Sequence, residues 1–327
     1  MVMSPTMPPD RIASLLASGT EILYGLGLGD RVVAVSHECD YPEEVRAEPR
    51  VTFTNIAVGA QSQDIDEQVK SLMAARAPIY NIDVALLASL RPDLIVTQSQ
   101  CDVCAVSYDD VLVAVKTNPV LRSTSVVALN PSTLEGIFED ILHVGQAAEC
   151  VSQAEEYLAE LRGRVEAVRK KTAALSATDR PRVACIEWIE PVMIAANWMP
   201  ELVQIAGGQH SLTLAGAKSA YSKWDDVVAY NPDVIVVMPC GFDLPRTIEE
   251  AKVLTTFPGW KNLSAVRDRR VYAVDGNAYF NRSGPRIVDS LEILAQLLHP
   301  DLFPDVVKPK TMFDIGVSAR YDSYALS

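Results

Sequence analysis

Two groups of side chains have the types and spacing to do chemistry. The first is built of thiols and imidazole: Cys101-Asp-Val-Cys104, with His37 and Cys39 in an earlier segment. Four such ligands could close a tetrahedral zinc site. The CxxC pair could instead be a redox couple or a disulfide, or it could simply pack and shape a loop. His37 could offer a neutral imidazole to a cobalt or iron centre, or be a loop histidine bonded to Asp40 or Glu38. The second group is aromatic: Tyr41, Trp188, Trp198, Trp224, Tyr279 and Phe280, with Arg282 beside them. Rings with a few convergent polar groups suit a large, flat, partly apolar ligand. For Trp188, a core position and a ligand contact weigh evenly. Trp224 and Phe280 are flanked by polar residues and are expected to be exposed.

Reaction chemistry finds little support. The sequence holds no nucleophile elbow, phosphate-cradling glycine loop or metalloprotease helix. Gly25-Leu-Gly27-Leu-Gly29 ends a helix rather than starting one, which is wrong for pyrophosphate. Glu187, Glu190 and Asp275 read by default as exposed carboxylates. His143, His210 and His299 carry no motif. The expectation is a protein without catalytic residues or catalytic cofactor.

A long helix organises the elements that would position these residues. Residues 151–175 place Ala154, Leu158, Leu161, Val165 and Val168 on one helical stripe. Glutamates crowd its first half and arginines and lysines its second, as the helix dipole favours. On each side lies an alternation of strands and helices. Residues 11–15, 31–36, 92–97 and 125–129 read as strands, with helices from Glu21, over 82–90 and over 133–147. After Pro181 the order repeats: strands over 182–187, 232–237 and 270–274, helices over 200–206 and 225–230. Glu21-Ile-Leu-Tyr-Gly-Leu-Gly27 matches Glu201-Leu-Val-Gln-Ile-Ala-Gly207, and Arg91-Pro-Asp-Leu-Ile-Val matches Asn231-Pro-Asp-Val-Ile-Val. Such alternation implies α/β architecture with parallel sheets. The predicted fold is two parallel-sheet α/β lobes joined by a long backbone helix, with a ligand cleft between them. Its parts are an N-terminal lobe over 1–131, linking helices over 132–178, and a C-terminal lobe and tail over 179–327. Ligands of parallel sheets sit beyond the carboxyl ends of the strands, where the aromatic set and the Cys and His residues fall.

Bulk composition narrows the partners. The 327 residues are 49% hydrophobic and 22% charged, as in ordinary globular proteins. A formal charge of -13 disfavours nucleic acid and anionic membrane surfaces. No apolar run approaches the roughly 18 residues that cross a bilayer, so no integral membrane protein is expected. The first ten residues are Pro-rich and lack the basic, apolar and small-residue pattern of a secretory leader. As written, the chain is expected in the cytoplasm, or outside it if the start has been trimmed. The six cysteines are scattered, unlike a stapled secreted scaffold.

Residues 11–23, Ser36-His-Glu-Cys-Asp-Tyr-Pro42, Arg91-Pro-Asp-Leu-Ile-Val, Trp198-Met-Pro-Glu-Leu with Ala206-Gly-Gly208, and Arg282-Ser-Gly-Pro-Arg286 together resemble the helical-backbone metal-receptor family. Its members are the substrate-binding proteins of ABC importers for vitamin B12, haem and iron–siderophore complexes. The resemblance spans about residues 11 to 300 and is strongest to the cobalamin-binding branch. It implies non-catalytic binding of cobalamin or a related corrinoid, with Tyr41, Trp224 and Tyr279 or Phe280 against the ring. Haem or a ferric siderophore is the alternative, with Arg282, Arg286 and Lys223 serving anionic groups. A cytosolic zinc or thiol protein is the rival from another class. Importer members also carry one surface acid per lobe for docking on the permease. Here Asp225 stands at the second position, while Ala85 stands at the first with Asp83 two residues away.

Overall fold

Short runs of Val, Ile and Ala flanked by Pro-Asp or Arg become strands, and amphipathic segments between them become helices. The structure is a computed structural model, which describes residues 8–100, 105–304 and the strand 312–314. In chain order the elements are β1 (Ile12–Ser14), α1 (Ala17–Gly25), β2 (Val32–Val35), β3 (Thr52–Thr54), α2 (Ser62–Ala74), β4 (Tyr80–Ile82), α3 (Val84–Leu90), β5 (Leu94–Gln98), α4 (Tyr108–Thr117), β6 (Ser125–Leu129), α5 (Leu134–Ala147) and α6 (Val151–Thr172). There follow β7 (Val183–Trp188), β8 (Met193–Ile194), α7 (Met199–Ile205), β9 (Ala220–Tyr221), α8 (Trp224–Tyr230), β10 (Val234–Val237), α9 (Leu244–Glu250), α10 (Ser264–Arg267), β11 (Val271–Val274), α11 (Ile287–Leu298) and β12 (Met312–Asp314). Two units emerge, and the division falls inside α6 between Gly163 and Arg164. Ser283–Pro285 belongs with the first unit and Gln61–Gln63 with the second.

The first unit is built on a four-stranded sheet in the order β2-β1-β5-β6, parallel throughout. β1 and β5 are buried along their whole length, as a parallel sheet covered on both faces requires. Ala13, Leu15, Ile95, Leu87, Val111 and Leu121 form part of one core cluster there. An antiparallel ribbon of β3 and β4 stands apart from this sheet. The helix expected to open at Glu21 with one wet face instead begins at Ala17, and Ala17 through Leu23 are all buried. Gly19 is the reason: a Cβ there would lie 2.8 Å from Val96 Cγ1, so its absence lets the helix settle directly onto the sheet.

In the second unit the sheet runs β12-β11-β10-β7-β8-β9. β10 is parallel to both β7 and β11, while β8, β9 and β12 add antiparallel edges. Its core gathers Ile186, Ile194, Val227, Ile235, Leu254 and Trp260. All five residues of the α6 stripe are buried, as their spacing requires.

The internal match extends to hydrogen bonds. α3 ends on Arg91 with φ 46°, and α8 ends on Asn231 with φ 47°. In the Pro-Asp that follows, Asp93 accepts from the Arg11 amide at 3.1 Å, and Asp233 from the Arg182 amide at 2.9 Å. Arg11 Nε donates to Leu90 O, and Arg182 Nη1 donates to Tyr230 O. Each unit thus ties the start of its first strand to the turn before the neighbouring parallel strand, β5 or β10, by one Arg–Asp clamp.

Candidate functional site

Parallel alignment of β7, β10 and β11 brings their carboxyl ends to one edge of the second sheet, where ligands of such sheets bind. Three exits supply the side chains. From β7 come Glu187 and Trp188, from the β10 loop come Cys240, Phe242 and Arg246, and from β11 comes the segment 275–282.

Trp188 and Phe242 face each other at 5.3 Å between ring centroids, tilted by 58°. The Arg246 guanidinium carbon lies 3.5 Å from the Phe242 centroid on the ring face. Burial lowers the Arg246 pKa from its usual value, against the opposing pull of Glu250 and Asp243. Trp188 Nε1 is buried and has no hydrogen-bond partner among the described residues. Glu187, half-buried, has Ser219 Oγ at 2.5 Å from its Oε2. Burial raises the Glu187 pKa, and the Ser219 bond opposes that only in part. The default of an exposed carboxylate is therefore corrected for Glu187, which sits near the end of β7 against Ser219.

The β11 exit is a single π-helical turn, Gly276–Phe280. π-Turns are uncommon and recur at functional sites. Here the turn is fixed at several points. Asp275 Oδ1 accepts from the Ala278 amide at 2.7 Å. Asn281 Nδ2 donates to Met238 O at 2.7 Å. Arg282 Nη2 donates to Asn277 Oδ1 at 3.1 Å. Gly276 must be glycine, since a Cβ would meet Pro239 O at 2.3 Å. Tyr279 is left half-buried, with the Arg286 guanidinium carbon 5.3 Å from its ring centroid.

The remaining aromatic residues divide differently from the expectation. Phe280 is fully buried, at 0% exposure, so its predicted exposure is corrected: the turn folds its ring into the core. Trp198 is 6% exposed and donates from Nε1 to Phe280 O at 3.0 Å. It supports the turn from beneath and offers no face. Arg282, 8% exposed, is held by Asn277. Trp224 is half-buried rather than open, its ring packed on Phe257 and Trp260 and its Nε1 donating to Pro258 O at 2.7 Å. Phe242, Arg246 and Ser219 were not anticipated. Phe242 lies two residues beyond Cys240 at the exit of β10.

In the first unit, Tyr41 follows β2 and is 47% exposed, joined to Pro42 by a cis peptide. His37 Nδ1 lies 2.7 Å from Thr52 Oγ1, and its Nε2 is 3.2 Å from Glu38 Oε1 without hydrogen-bond alignment. Thr52 on β3 was not among the expected partners, because the β3–β4 ribbon was not anticipated. Cys39 is buried, its Sγ 3.1 Å from Thr20 Oγ1. Cys101 and Cys104 lie outside the described residues. Among the described residues no three His, Cys, Asp or Glu side chains are grouped to hold a metal. Of the acids considered for docking, Asp225 is exposed in the first turn of α8. Asp83 is the cap of α3, accepting from the Leu86 amide at 2.9 Å.

The sequence aligns over 302 residues with an uncharacterized ABC transporter substrate-binding lipoprotein, YvrC, of Bacillus subtilis. Identity is 25%, over 91% of this chain and 82% of that one. It is also 25% identical to a vitamin B12-binding protein of Vibrio campbellii, over 70% of each chain. Among solved structures, the fold resembles the periplasmic heme-binding protein RhuT of Roseiflexus sp. RS-1 with a TM-score of 0.66. That match has 20% identity and covers 90% of this chain and 99% of that one. The periplasmic binding protein family matches residues 12–278, which is most of the chain, and together with the duplicated α/β units this shows that the chain belongs to that family.

Proposed function

We propose that the protein is the binding component of an importer and that its ligand is cobalamin or a related corrinoid, bound without catalysis. The observation that carries this reading is the edge of the second sheet. There Trp188, backed by the buried Phe242 ring, and Tyr279 on its braced turn present aromatic surface among polar groups, which suits a broad apolar macrocycle with amide edges. Tyr41 in the first unit offers a further exposed ring. The name of the Vibrio relative agrees with the corrinoid, and the name of the Roseiflexus protein with haem. Haem is the second reading because Arg246 and Arg286 lie against these rings and could meet propionates. Cyanocobalamin, haem and a ferric siderophore should be titrated against the protein with tryptophan fluorescence as readout. Saturable quenching by cyanocobalamin at micromolar concentration or below is expected. Haem binding at least tenfold tighter would replace the corrinoid with the second reading, and no response to any of the three would end the proposal. The lipoprotein name of the Bacillus relative favours work outside the cytoplasm over the cytoplasmic expectation. Fractionation of the native host should find the protein with the membrane or outside it, and recovery in the cytosol would restore the original expectation.

A further inference from the structure

We propose that Glu187 selects a carboxamide over a carboxylate on the edge of the ligand that the second unit binds. This rests on the corrinoid reading and goes beyond it, because a corrin carries side-chain amides where haem carries carboxylates. Glu187 is the last residue but one of β7, at the carboxyl edge of three parallel strands. Its hydrogen bonding is half complete. Ser219 Oγ accepts from the Ala196 amide at 2.9 Å, which directs the hydroxyl hydrogen onto Glu187 Oε2. No described residue donates to Oε1, and no described cation pairs with the carboxyl. The next residue, Trp188, carries a buried Nε1–H that likewise has no partner among the described residues. The buried Trp188 Nε1–H calls for an explanation, since buried polar groups are normally bonded, and beside it Glu187 Oε1 is left to accept from a group outside the described residues.

A primary carboxamide meets the free acceptor of Glu187. It donates through its NH2 to Oε1 and brings no charge. A ligand carboxylate would instead bring a second acid beside an uncompensated one, and one buried charge would remain without a cation. The burial-driven rise of the Glu187 pKa is consistent with a site that holds neutral groups.

The test pairs three proteins with two ligand classes by isothermal titration. The proteins are wild type, Glu187→Gln and Glu187→Ala. The ligands are dicyanocobinamide and corrinoids in which one side-chain carboxamide has been hydrolysed, taken isomer by isomer. Glu187→Ala should weaken dicyanocobinamide about tenfold, the worth of one lost hydrogen bond. Glu187→Gln should stay within about threefold of wild type, since an amide also donates and accepts. For one hydrolysed isomer the wild type should discriminate about tenfold or more, and Glu187→Gln should narrow that ratio. A discrimination ratio does not move when a residue merely supports the fold, so the Gln variant decides the matter even if the Ala variant is unstable. Equal ratios in wild type and Glu187→Gln, or full affinity in Glu187→Ala, would overturn the proposal and leave the corrinoid reading standing. No corrinoid binding by the wild type would overturn both.

Discussion

Single buried groups set how the protein responds to pH. Asp140, 5% exposed on α5, has its pKa pushed up to about 6 by burial, with His143 opposing. Its folded pKa lies above the unfolded value, so its contribution is fully present below about pH 4 and is lost as pH rises through 6. Relative to wild type, Asp140→Asn should therefore gain about 2–3 kcal/mol between pH 4 and 7.5, read from chemical denaturation at each pH. His210 works in the other direction. Burial lowers its pKa, and its nitrogens meet Val183 O at 3.1 Å and Thr213 Oγ1 at 2.7 Å. Its contribution is present above about pH 6.5 and is lost as pH falls. His210→Gln should flatten the acid side of the same stability curve, and an unchanged acid slope would remove His210 from that role. Trp198→Phe should cost about 1–3 kcal/mol by leaving Phe280 O unpaired in a buried site.

Helices and turns carry predictions of a different kind. α6 has 22 residues and so runs about 33 Å. Leu161→Ala should cost about 2–5 kcal/mol, since Leu161 is buried on the stripe, while an exposed neighbour such as Glu160 should tolerate alanine. Gly163 lies inside the same helix, exposed, and a Cβ there meets nothing within 4 Å. Gly163→Ala should raise stability by about 0.5–1 kcal/mol, measurable as a melting temperature a few degrees higher. The opposite holds at Gly276→Ala, where the new methyl meets Pro239 O and must push the π-turn out of place. That variant should melt well below wild type and lose ligand quenching together. Retention of both would show that the turn is not a fixed platform.

At the level of the molecule, duplication was legible because each half repeats a local code: an apolar strand, a helix ending in a left-handed residue, then Pro-Asp. The clamps Arg11–Asp93 and Arg182–Asp233 are that code in three dimensions. The antiparallel strands β8 and β9 were not legible, since two-residue strands leave no period to read. If a corrinoid binds the native state alone, adding it at about a hundred times its Kd should stabilise the whole protein by about 2.7 kcal/mol. Differential scanning calorimetry with cyanocobalamin checks this, and an unmoved transition at that ratio would contradict the proposed ligand.

The parallel strands of both sheets, the buried stripe of α6 and the strand exits follow from spacing alone, because hydrophobic periodicity is a property of neighbours along the chain. Which rings remain available was decided only in three dimensions. Phe280 and Tyr279 are adjacent in sequence, yet one is sealed in the core and the other is half open. Their fates depend on a turn seated against the Pro239 backbone and held by Asn281 and Trp198. Pro239, Trp198 and the Met238 carbonyl that Asn281 bonds lie tens of residues away along the chain, and no local pattern encodes how their surfaces meet.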